Sequence, residues 1–134
     1  MSKLEVFDLV GTPYKFGGTN TVEGLDCRSL VWTAAARIPL VGLSSPEDAE
    51  QTTYDDVARG DSQWRHVGDE LSSATKVGHL VISDSGGPVA GVLLLVNEEE
   101  RLFLTTTPQR GHAFLVPARA VRNVIGVYEW EATA

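Results

Sequence analysis

The chain has 134 residues, a formal net charge of −7 and an apolar fraction of 43%. That is one domain, residues 1–134, with enough material for a real core. An acidic chain without a lysine- or arginine-rich block repels phosphate backbones, which argues against nucleic-acid binding. Its longest apolar run, Val89 to Val96, is too short to span a bilayer, and its one cysteine, Cys27, leaves no internal disulfide.

Residues Met1 to Asp8 contain no apolar signal core, so the sequence reads as a protein made in the cytoplasm without a signal peptide. Ser2 and Glu5 have capping-box spacing, and Leu4, Phe7 and Val10 mark a short helix face that Gly11 and Pro13 end. A loop rich in Gly, Thr and Asn follows from Thr12 to Leu25. Its Gly17-Gly18 pair allows backbone shapes other residues resist. It lacks the G-x-x-x-x-G-K-[ST] pattern of a nucleotide loop.

The best helix pattern begins at Asp26, an N-cap residue type. Cys27, Leu30, Val31, Ala34 and Ile38 recur at helical spacing on one stripe, with Trp32, Thr33 and Arg37 elsewhere, and Pro39 stops the run. Cys27 is thus expected at the first helical position, where the positive end of the helix dipole favours a thiolate. The competing reading is a small buried hydrophobe.

Ser45-Pro46 starts a second, polar helix whose inward candidates are Ala49, Tyr54 and Val57, and Gly60 ends it. Trp64 to Lys76 reads as loop with one extended piece. From Val77 the period becomes that of strands: His79 to Ser83, Pro88 to Asn97, Arg101 to Thr107, His112 to Val116 and Val121 to Trp130. Pro108 to Gly111 is the turn of a hairpin, and Glu98-Glu99-Glu100 a solvated one. Helices followed by five strands with short turns predict an α+β fold with a mainly antiparallel five-stranded sheet.

The residues around Cys27 carry a resemblance. Gly11-x-Pro13-Tyr14-x-Phe16-Gly17-Gly18, then Gly24-x-Asp26-Cys27, then Leu30-Val31, resembles the opening motif of the NlpC/P60 family. That family has a papain-like fold and contains cysteine peptidases that cut bacterial cell-wall peptides. The resemblance implies a papain-like core with the Cys27 helix packed on the sheet. It makes Cys27 the nucleophile and Tyr14, Gly17, Gly18 and Asp26 part of the substrate cleft; Asp26 also reads as a helix cap rather than an acid. Arg28 and Ser29 depart from the family's small Ser-Gly pair, a looseness that resembles phage tail-tip members.

A cysteine hydrolase needs a base beside the thiol and a polar group to orient it. In the family a histidine opens a strand soon after a G-D-L-V segment. Here Gly78-His79-Leu80-Val81 matches that segment, which puts Val89 at the histidine position and Thr105 nearest the orienting one. Valine cannot accept a proton, and losing one member of such a unit removes several powers of ten in rate. Of the three histidines, His66 lies in a loop, His79 opens a strand, and His112 pairs roughly with Thr107; each reads first as a surface or strand-end residue, with His112 or His79 as the alternative base. No H-E-x-x-H or Cys-x-x-Cys points to a metal, and no cofactor is implied. Trp32, Trp64 and Trp130 read as core or interface anchors.

Three functions follow as expectations. The first is a catalytically degenerate domain, a pseudoenzyme, acting as a structural component of a phage or phage-like tail tip, a virion part with other tail or hub proteins as partners. The weak likeness of Pro117 to Tyr128 to the last strand of tail-associated members supports it. The second is an active cysteine endopeptidase on peptidoglycan stem peptides. The third is a non-catalytic binder of cell-wall peptides.

Overall fold

The computed structural model describes residues 8–37, 54–60, 62–84, 88–95 and 101–131. The expectations for Ser2 to Phe7, Ile38 and Pro39, Ser45 to Ala49, and Glu98 to Glu100 lie outside these residues.

Two short strands, β1 (Thr19–Asn20) and β2 (Gly24–Leu25), form a hairpin inside the stretch expected to be plain loop. Helix α1 (Cys27–Ala36) follows at once, and α2 (Tyr54–Arg59) precedes the main sheet. That sheet contains β3 (Trp64–Gly68), β4 (Leu80–Asp84), β5 (Pro88–Leu95), β6 (Arg101–Thr106), β7 (Ala113–Pro117) and β8 (Val124–Trp130). Its order is β3-β8-β4-β5-β6-β7, with every neighbouring pair antiparallel.

The α+β class and the antiparallel sheet match the expectation, but among the described residues the sheet has six strands, not five. The added strand is β3, the stretch read as mostly loop. Its pattern is weak because it is an edge strand: Arg65 and His66 are exposed, and its backbone needs only the one partner, β8. Three strands also start later than expected, β7 by one residue at Ala113. His79 sits in a turn, its N–H donating to Lys76 O (3.1 Å), and β4 begins at Leu80. Residues 121–123 form a turn, with Asn123 at φ 55°, before β8.

The pleat sends alternate residues to two different cores. Toward α1 point Leu80 and Ile82 of β4, Leu104 of β6, Ala113 of β7 and Tyr128 and Trp130 of β8, packed with Leu30, Val31, Ala34 and Ala35. On the outer side Val81, Phe103 and Val127 form a smaller cluster with Ala74. Val57 of α2 is buried in the first core, as expected. Of the first turn, Leu9 is buried and Val10 is 41% exposed, the reverse of the expected face. The buried arc of α1 is also wider than one stripe. Trp32 is buried because it stacks on Trp64 (ring centroids 5.3 Å, 20°), which meets Trp130 edge-on (5.4 Å, 69°). The three tryptophans are therefore core.

Candidate functional site

Asp26 sets the mouth of α1. Its backbone is extended, and its Oδ1 accepts the Ser29 N–H (2.9 Å) while Ser29 Oγ accepts the Asp26 N–H (3.0 Å). This reciprocal box satisfies two backbone donors that a helix end otherwise leaves open. Ser29, a departure from the family pattern, is thus the residue that closes the cap. The other carboxylate oxygen, Oδ2, accepts Gly17 N–H (3.0 Å), so Asp26 also clamps the glycine loop. A carboxylate engaged on both sides fits the cap reading.

The loop ahead of it is braced rather than slack. Gly18 is buried where its backbone meets that of Gly24; a Cβ at 18 would stand 2.1 Å from Gly24 O. Asn20 Oδ1 accepts the N–H groups of Val22 (3.1 Å) and Glu23 (2.8 Å). The braced loop holds two apolar side chains out in water, Phe16 at 88% and Val22 at 87% exposure.

Cys27 occupies the first position of α1, half-buried against the helix-side core and without a disulfide. Tyr14 stands near it. Its backbone bridges Leu25 on one side and donates to Gly111 O (2.9 Å) on the other. The Tyr14 phenol is held above its usual value, first by burial and then by the negative charges of Cys27 and Asp26. These bridges tie the helix mouth to the end of the sheet where β5 and β7 begin. Cys27 and Tyr14 are therefore brought together, with Gly17, Gly18 and Asp26 acting as the frame.

The expected base and orienter are not beside them. Thr105 lines the outer face with Ser83, Phe103 and Phe114, and Val89 is the register partner of Ser83. The positions paired with helix-side residues are Ala90, opposite Ile82, and Val92, opposite both Leu80 and Leu104. On β6 the helix-side residues are Leu104 and Thr106, and the Thr106 hydroxyl is buried without a hydrogen-bond partner. The family resemblance puts the histidine and orienter positions at Val89 and Thr105, one residue away from this side. One residue is a whole face in a strand. Neither register restores a base, because β5 and β6 contain no imidazole at any position.

The three histidines go elsewhere. His112 precedes β7; its neighbour Ala113 points to the helix-side core, while its own ring packs edge-on to Phe114 of the outer face (6.4 Å). Its Nδ1 contacts Arg110 O (2.9 Å). The expected pairing opposite Thr107 fits the register, and for that reason His112 faces away from α1. His66 lies on β3, three strand spacings from β5, about 14 Å. It contacts Asp69 (2.8 Å). His79 is buried, accepts Thr75 N–H at Nδ1 (3.2 Å), and has its Nε2 3.9 Å from Glu129. Burial holds this imidazole below the ordinary 6.5, outweighing the opposite pull of Glu129.

Among the described residues no group of three or more His, Cys, Asp or Glu side chains is placed to hold a metal, and no helix is long and apolar enough to cross a membrane. No protein-family model matches the chain, and no curated protein matches it. The NlpC/P60 resemblance therefore rests on the motif residues themselves.

Proposed function

We propose that the chain is a catalytically degenerate, papain-like NlpC/P60 domain serving as a structural or interaction component, with a phage or phage-like tail tip as its setting. One observation carries the loss of catalysis: the two strands packed against α1, β5 and β6, contain no histidine, so neither can offer a thiol an imidazole. A helix dipole alone makes a thiol more acidic but supplies no group to protonate a leaving amine. The exposed Phe16 and Val22 on a braced loop support the interaction role, since an apolar group held rigidly in water is ready to dock. Other tail or hub proteins are the proposed partners and the assembled particle the proposed location.

The test is digestion of purified peptidoglycan by the chain, alongside Cys27→Ala. No release of stem-peptide fragments is expected from either protein. Release that depends on Cys27 would overturn the reading in favour of an active endopeptidase. Retention of wall fragments without cleavage would move it to a wall-peptide binder.

A further inference from the structure

On the side of the sheet away from α1 lies a cavity of about 200 Å³. Gly91 is part of its lining. A Cβ there would meet Leu104 O at 3.2 Å and Phe103 Cβ at 3.3 Å, so the lack of a side chain keeps the space open. Glycine inside a strand weakens the strand and marks sites of close approach. Phe103 and Phe114 supply apolar wall, and Thr105 and Ser83, each more than nine-tenths buried, add hydroxyl groups. Arg122 completes the lining, and Arg110 lies over the Phe114 ring at 4.0 Å.

Two arginines stand at this cavity. Elsewhere, among the described residues, Arg37 pairs with Asp8, Arg59 with Asp56 and Arg65 with Glu129 and Glu131, while Arg101 donates to the backbone oxygens of Leu71 and Ala74. Among the described residues neither Arg110 nor Arg122 meets a carboxylate. Arg122 donates to the backbone oxygens of Arg119 and Val121 through Nη1 alone, which orients the group without neutralising it. Among the described residues no acidic side chain lines the cavity. In a chain of net charge −7, two cations that meet no carboxylate among the described residues, beside an apolar hollow, make a local positive field. Guanidinium is the side chain best matched to a carboxylate.

We propose that the outer-face cavity binds an apolar group bearing a carboxylate, with the apolar part against Phe103 and Phe114 over Gly91 and the carboxylate on Arg122 and Arg110. The chemistry is shared by a free aryl or alkyl carboxylic acid and by the C-terminal residue of a peptide. The site lies on the opposite face from Cys27 and is independent of the reading of that thiol.

Two-dimensional NMR titration of the intact chain tests it, with 3-phenylpropionate, its uncharged amide, and short peptides ending in Phe with a free or amidated carboxyl. For 3-phenylpropionate the expected Kd is about 1 mM, with shifts at Phe103, Thr105 and Phe114. The amide should bind at least about tenfold more weakly, and Arg122→Gln, an exposed change that keeps the fold, should weaken the acid about tenfold. A free-carboxyl peptide that binds more tightly than the acid identifies a peptide end as the source; equal or weaker binding identifies a small acid. No shifts at the cavity up to tens of millimolar ligand, or equal binding of acid and amide, would overturn the proposal.

Discussion

The two faces of the main sheet are built to different standards. The α1 side is filled by aromatic stacking and aliphatic packing, and it carries the helix whose mouth holds Cys27. Among the described residues the outer side has fewer buried apolar residues, a cavity, buried hydroxyls and two arginines that meet no carboxylate. Cys27 packs against the first side, while the His112 ring packs against Phe114 of the second. The same pleat that builds a good core thus separates the nucleophile from its alternative base. A single-residue phase decides whether a polar side chain can serve a reaction or only decorate a surface.

The contrast can be broken at several points. The largest effect is expected at the packed face: Trp64→Ala removes the middle ring of the tryptophan stack and should cost about 3–5 kcal/mol in urea unfolding. Next come the two imidazole insertions. Ala90→His adds a ring at the position paired with Ile82 and should raise Cys27 alkylation at pH 6 about tenfold. Val89→His, at the position paired with Ser83, should leave that rate unchanged. Asp26→Ala removes the cap and the Gly17 clamp together and should cost about 1–2 kcal/mol, read by thermal unfolding.

The smallest effect is one of pH. His79 is held below 6.5 in the folded chain and returns to about 6.5 on unfolding. Below that value the unfolded state binds the extra proton, so stability present above about pH 6.5 is lost as pH falls toward the folded value. Lys76 and Arg65 act in the same direction as burial and Glu129 against it. Urea midpoints at pH 7.5 and pH 5 should fall further apart in the natural chain than in His79→Gln.

Much of this was legible in the residues. Asp26 as cap, Cys27 at the helix start, and the hairpin around Pro108 to Gly111 each follow from local chemistry: a capping carboxylate, a 3.6-residue period, a turn sequence. The same holds for the five strands β4 to β8, in chain order. What was not legible depends on contacts distant in sequence. β3 is a strand only because β8 offers it an edge. Trp32 is buried only because Trp64 arrives to stack on it. Ser29 as the partner of Asp26 could have been found from its i+3 spacing, although the box usually carries Glu or Gln there. The facing of Val89 and Thr105 could not be read without the register, since both alternation phases of β5 are apolar.

The central claim is that no imidazole serves Cys27. The pH profile of Cys27 alkylation, measured for the natural chain and for His112→Gln, tests it most directly. The two profiles should superimpose, each rising steadily through neutrality with no step that depends on His112. A plateau of fast alkylation in the acid range that disappears in His112→Gln would contradict the account, because it would mean the histidine and the thiol share a proton across the sheet.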